Sequence, residues 1–265
     1  MRFRLILSKI SASCYLPINY KYEISSWIYK VFGQGDPAFS SWLHEHGYDF
    51  RNKKFKFFTF SDLELRNFEI KGDRILLNER EIALQISFLM DNAAEKFIVG
   101  LFMGQRFGIG DKHSGVDFEV TRIEACERPV FVSTMQFRMK SPLCLTLARE
   151  DKTVAYIEPG HPQYEKRFFD NLLSKFVAYQ KHAPVLAGES AGALQHGADM
   201  KLEITGPVKS RLLTIKAGTP EQTKLKVFIF PFTITAPVEL IEIGYYGGFG
   251  EKNSLGLGCV EEFRI

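Results

Sequence analysis

Cysteine is scarce in this sequence. Only four occur among 265 residues, Cys14, Cys126, Cys144 and Cys259, and no two form a C-x-x-C pair. That scatter suggests neither a zinc site nor a disulfide framework, so the expected compartment is a reducing cytoplasm. Long apolar runs are missing too: the stretch from 227 to 238 is interrupted by Pro231 and Pro237, and no membrane partner is expected. Met1-Arg2-Phe3-Arg4-Leu5-Ile6-Leu7 alternates as a strand does and lacks the apolar core of a signal peptide. Charge of one sign is also lacking. With 34 Lys plus Arg against 31 Asp plus Glu, the net charge is +3, which permits nucleic-acid binding through a local basic face without arguing for it. There is no P-loop Gly-Lys-Ser/Thr and no run of Asp and Glu at metal-binding spacing. Neither P-loop chemistry nor two-metal phosphodiester cleavage is supported. No cofactor, no metal and no Ser-His-Asp hydrolase are expected.

Glycine is concentrated near the C-terminus, in Gly248-Phe249-Gly250-Glu251-Lys252-Asn253-Ser254-Leu255-Gly256-Leu257-Gly258. Two Gly-x-Gly pairs flanking Lys, Asn and Ser suit a loop whose backbone N–H groups face an anion; a tight turn before a last strand is the ordinary alternative. A dinucleotide fingerprint would need glycine where Asn253 stands and a βαβ unit beyond it. A partial copy, Gly108-Ile109-Gly110-Asp111-Lys112-His113-Ser114, lies 140 residues earlier, and Met1-Arg2-Phe3-Arg4 is echoed in Met135-Gln136-Phe137-Arg138. Similar offsets suggest two related halves.

Periodicity supports that division. Strands are expected at 2–8, 55–60, 65–77, 82–89 and 116–125. Helices are expected at 22–32, from the Asp36 N-cap and Pro37 to Gly47, and at 91–103. The second half expects strands at 131–139, 200–206, 210–216, 224–235 and 257–263, with helices at 164–180 and after Pro237. Each half reads as βαββαβ. The fold class is α+β, two tandem ferredoxin-like (RRM-like) domains spanning 1–127 and 130–265. Segment 181–199 has no clear period and is expected to be a mobile loop or loose helix.

Among side chains able to do chemistry, His44 leads, because an imidazole gives and takes protons near neutrality; a surface histidine is its ordinary alternative. His46, two residues on, cannot share its helical face. Tyr29 is a core tyrosine, an orienting group, or a base whose phenol needs cationic neighbours. By strand alternation Lys56 shares a face with Phe58 and Phe60, either snorkelling at an edge or neutralising a phosphate. Lys209, Arg211, Lys216, Lys224 and Lys226 fall on two neighbouring strands, as a basic strip for a nucleic acid or an ordinary polar face.

Gly244-Tyr245, the loop from Gly248 to Gly258 and the duplicated layout resemble the CRISPR-associated endoribonucleases that process precursor CRISPR RNA. These belong to the repeat-associated RNA-binding superfamily with a C-terminal glycine-rich loop. The resemblance implies a metal-independent cut within each repeat by Tyr29, His44 and Lys56, with Lys53 or Lys54 as substitutes for the lysine. It implies 2′-hydroxyl attack, leaving 2′,3′-cyclic phosphate and 5′-hydroxyl ends. Tyr29 would position or deprotonate the 2′-hydroxyl, His44 would protonate the leaving oxygen or exchange roles with it, and Lys56 would stabilise the phosphorane. CRISPR repeat RNA is the implied partner, held by Lys209, Arg211, Lys216, Gly248, Gly250, Lys252, Asn253, Ser254, Gly256 and Gly258. Some relatives bind without cutting, so an inactive repeat-binding subunit of a ribonucleoprotein complex is the alternative, and a CRISPR effector complex as partner and a homodimer are compatible with either. A ferredoxin-like enzyme using the loop to hold a small phosphorylated ligand is a more distant one.

Overall fold

The computed structural model describes residues 1–150, 153–182 and 199–263. The first half is a five-stranded antiparallel sheet in the order Phe58–Phe60, Glu81–Phe88, Arg2–Lys9, Gly115–Ala125, Arg106–Gly110. Helices α1 (Lys21–Gly35), α2 (Pro37–Glu45) and α3 (Asp91–Met103) accompany it. The second half is a four-stranded sheet ordered Lys201–Ile204, Phe232–Thr235, Thr134–Met139, Val260–Glu262, with α4 (Tyr164–His182) and α5 (Val238–Gly247). In each sheet the first strand lies between the third and the last, with the second at the edge, the ferredoxin-like order. The fold is thus two tandem ferredoxin-like units.

Local chemistry explains the helices. Ile24, Trp27, Ile28, Val31 and Phe32 form the buried stripe of α1. That helix runs beyond its expected end at Gly33 because Gly35 is used for packing. A Cβ on Gly35 would lie 2.4 Å from Lys96 O, and one on Gly100 would lie 1.9 Å from Val31 O, so the two glycines let α1 and α3 touch backbone to backbone. Asp36 caps α2 by accepting from Phe39 N at 2.9 Å, with Pro37 next.

Four sequence expectations are corrected. The expected 55–60 strand is split into Lys53–Phe55 and Phe58–Phe60, because Phe57 takes φ +53° and its ring is buried beside Tyr48 and Phe55. Lys56 therefore stands in the break and does not alternate with Phe58 and Phe60. The 65–77 strand is a hairpin, Phe68–Lys71 with Arg74–Leu77, turning at Gly72. Pro231 divides the 224–235 strand; Thr223–Ile229 pairs with Lys209–Ile215 in a separate hairpin. Finally, the upstream glycine copy is itself a β-hairpin. Gly110 pairs with Gly115, and Asp111 Oδ1 accepts from His113 N and Ser114 N. Most of segment 181–199 lies outside the described residues, as does Gly188-Glu189-Ser190-Ala191-Gly192. That run has the spacing of a hydrolase elbow, a motif that acts at a strand-to-helix turn of an α/β-hydrolase sheet.

The halves are joined by buried polar contacts. Arg2, 4% exposed, donates to Val260 O and Tyr245 O, both at 2.6 Å, and stacks 3.6 Å from the Tyr245 ring centroid. Thr59 donates to Leu257 O at 2.8 Å. No helix among the described residues is long and apolar enough to cross a membrane.

Candidate functional site

The glycine-rich loop enters the seam between the halves. Gly248, Gly250, Gly256 and Gly258 all have φ between +68° and +85°, the region that side chains rarely adopt. Space forbids substitution as well: a Cβ on Gly258 would lie 1.9 Å from Phe249 O, and one on Gly256 2.3 Å from the Phe60 ring. The glycines therefore serve contacts inside the protein. Phe249 N donates to Gly258 O, Glu251 N to Cys144 O, Leu255 N to Lys252 O, Gly256 N to Asn253 O and Gly258 N to Pro142 O. Part of the expected N–H array is thus used inside the protein, while the N–H groups of Gly250, Lys252, Asn253 and Ser254 take none of these internal acceptors. What it offers outward is Lys252, Asn253 and Ser254, which are exposed or half-exposed.

Helix α4 fixes that tip. Lys175, 1% exposed, donates to Gly248 O at 2.5 Å, Gly250 O at 2.7 Å and Asn253 Oδ1 at 2.8 Å. Asn253 Nδ2 in turn donates to Phe249 O and Leu257 O. From the first half, Lys21 donates to Gly256 O at 2.9 Å and Ser25 to Ser254 O at 2.8 Å. Burial brings Lys175 down to about 7, Glu251 opposing the shift and Lys53 adding to it. The residue was missed in the sequence although a signal exists: Lys175 follows Phe168 and Leu172 on one helical stripe.

The pH dependence follows from that burial. Between about 7 and the ordinary lysine value of 10.5, the unfolded chain binds a proton at Lys175 that the folded chain lacks, so this group's contribution to stability rises with pH across that window. Lys56 acts in the same direction from about 8. The urea midpoint of Lys175→Met should therefore rise less than wild type between pH 7 and 9; equal rises would contradict the burial.

The structure brings Tyr29, His44 and Lys56 together. Tyr29 of α1 meets His44 of α2 edge to face, ring centroids 5.2 Å apart. Lys56 donates to His44 O at 2.8 Å and to Leu43 O, so its ammonium sits at the C-terminal end of α2, where a cation is favoured. Burial, with Lys54 beside it, brings Lys56 down to about 8. Lys54 instead donates to Glu45 O, and Lys53 to Ser174 on α4. Burial pushes Tyr29 up to about 12, only partly offset by a hydrogen bond with the Ser254 side chain. The cationic neighbours that a tyrosine base needs are not among the causes acting on it.

Beside this trio lies a cleft of about 360 Å³, lined in part by Lys53, Lys54, Lys56, Arg167, Lys175 and Lys252. Among the described residues Glu251 is the one carboxylate in the lining, and it is tied to Thr146 Oγ1 at 2.8 Å. The balance favours an anion. Lys56 and Ser254 line the cleft and also touch the trio, making the two regions continuous.

The expected basic strip is not one surface. In the hairpin register Arg211 faces Val227 and Leu213 faces Leu225, while Leu212 faces Lys226 and Thr214 faces Lys224. Lys209 and Arg211 thus share the face of buried Ile215, and Lys224 and Lys226 occupy the other. Arg211 is paired with Asp62 at 2.8 Å, and Lys216, at φ +51°, lies 6.0 Å from the Tyr22 ring centroid. None of Lys209, Arg211 and Lys216 lines the cleft. Among the described residues no group of three or more His, Cys, Asp or Glu is placed to hold a metal.

Tandem ferredoxin-like units, a C-terminal glycine-rich loop wedged between them and a cationic cleft define a class of protein built around an anion-facing seam. The chain belongs to the CRISPR-associated protein Cas6 family. The Cas6 C-terminal description matches residues 126–262 and the Cas6 N-terminal one residues 15–124. It is 26% identical over 252 residues to the CRISPR-associated endoribonuclease Cas6 1 of Methanocaldococcus jannaschii, covering 92% of this chain and 86% of that one. It is 27% identical over 269 residues to the CRISPR-associated endoribonuclease Cas6 of Pyrococcus furiosus, covering 98% and 89%. Among solved structures it resembles a Cas6-related gene product from Pyrococcus furiosus, with TM-score 0.79, 24% identity and coverage of 100% and 98%. That likeness bears on the fold alone.

Proposed function

We propose that the chain is a CRISPR endoribonuclease cutting precursor RNA within its repeats without a metal, at Tyr29, His44 and Lys56. The observation that carries this reading is the meeting of the Tyr29 and His44 rings, with the Lys56 ammonium on the His44 carbonyl at the edge of a cationic cleft, in a chain whose curated relatives carry the name endoribonuclease. RNA supplies its own nucleophile, the ribose 2′-hydroxyl next to the scissile phosphate. As this oxygen bonds to phosphorus its proton passes to water, and the bond to the 5′-oxygen breaks. His44, exposed and in contact with the Tyr29 ring, donates a proton to the leaving oxygen. Tyr29, held protonated by burial, orients the 2′-hydroxyl and does not take its proton. Lys56 offsets the charge gathering on the phosphorane. Lys252, Asn253 and Ser254 at the loop tip contact the RNA. Lys209, Arg211 and Lys216 are assigned at most to a strand leaving the cleft.

The purified protein, given labelled repeat RNA in excess chelator, should make one cut per repeat. Tight binding with no cut would favour the inactive repeat-binding subunit.

A further inference from the structure

The floor of the cleft holds a group that the cleavage reading does not use. Asn171, 5% exposed, lines the cleft one helical turn before Lys175, and its Oδ1 has no hydrogen-bond partner. A buried amide oxygen without a partner is unfavourable until a donor reaches it. Lys175 cannot serve, since its three protons are directed to Gly248, Gly250 and Asn253. It offers the cleft no free contact. Donors remain at the rim instead. Lys53 has only Ser174 as a partner, Arg167 uses Nε and Nη2 on Thr146 O and leaves Nη1, and Lys252 is exposed.

Cations around an acceptor require a ligand that is anionic and also carries a hydrogen-bond donor. Chloride and sulfate have the first property only. A ribonucleotide has both, in its phosphate and in its 2′-hydroxyl or base N–H groups. We propose that this cleft is a subsite for one nucleotide flanking the scissile phosphate, with its phosphate on Lys53, Arg167 and Lys252 and its ribose or base edge donating to Asn171. The assignment rests on the reading of the neighbouring trio as the cleavage site. Because Lys56 and Ser254 belong to both regions, a nucleotide seated here is adjacent to the one being cut. Half-buried Phe55, also in the lining, gives the base an apolar wall.

The test measures binding, so it stays separate from cleavage. Repeat RNA made uncleavable by a 2′-deoxy sugar at the scissile nucleotide receives one further 2′-deoxy or abasic substitution at each position within two nucleotides of the cut. One of these should weaken wild-type binding about tenfold, as expected for a lost buried hydrogen bond, and weaken Asn171→Leu less than twofold. If Asn171→Leu binds all substrates equally worse, or if no flanking substitution affects the wild type, the subsite is refuted. Should Asn171→Leu fail to fold, Lys53→Ala, altered at an exposed side chain, replaces it. That variant should lower the slope of log Kd against log salt by about one phosphate contact, and an unchanged slope would count against the proposal. Unmodified repeat RNA that the wild type binds but does not cut would overturn the cleavage reading and with it the placement beside a scissile phosphate, whereas RNA that is cut but shows no Asn171-dependent loss would overturn the subsite alone.

Discussion

Replacing His44 with alanine should slow repeat-RNA cleavage by roughly 10²–10⁴-fold, the usual worth of a general acid or base, or about 3–5 kcal/mol of barrier. Binding should change little. His44 is exposed at the end of α2, so its removal opens no cavity. The hydrogen bonds that hold Lys56 there go to backbone carbonyls, which alanine retains. The comparison to make is single-turnover cleavage at saturating protein against Kd for the same RNA. A His44→Ala enzyme within a fewfold of wild type would remove this residue from the chemistry.

The second large effect is chemical. A single 2′-deoxy substitution at the scissile nucleotide removes the only nucleophile in the scheme, so cleavage at that site should fall to background while neighbouring repeats in the same transcript are still cut. Binding should weaken no more than about fivefold, the equivalent of one hydrogen bond near 1 kcal/mol. Continued cutting of the deoxy substrate would require water as the nucleophile, and the role given to Tyr29 would be wrong.

Much of this was legible in the sequence, for identifiable reasons. The Asp36-Pro37 start of α2 and the apolar stripe of α1 are local signals that local structure obeyed. The two-halves reading came from short repeats, although one of them, Gly108 to Ser114, proved to be a hairpin turn with a different geometry from the loop it echoes. The break at Phe57 was not legible, because beyond Phe55 its ring packs on Tyr48 and on Tyr179 of α4, contacts that only the folded chain supplies. The split of the basic hairpin was available from parity alone, since Leu213 and Ile215 share a face with Lys209 and Arg211, whereas Lys224 and Lys226 flank Leu225 and Val227. Asn171 and Lys175 are the opposite case. Polar residues on a buried helical stripe mark a satisfied network or a site, and only the fold shows that Lys175 is satisfied while the Asn171 oxygen is not.

In the proposed reaction RNA supplies the nucleophile and no metal takes part. The most direct measurement is the chemical identity of the new ends formed when the wild-type protein cuts repeat RNA in excess chelator. A 2′,3′-cyclic phosphate on the upstream fragment and a 5′-hydroxyl on the downstream one are the predicted result. A 3′-hydroxyl with a 5′-phosphate, or a cut that disappears with the chelator and returns with a divalent cation, would contradict it.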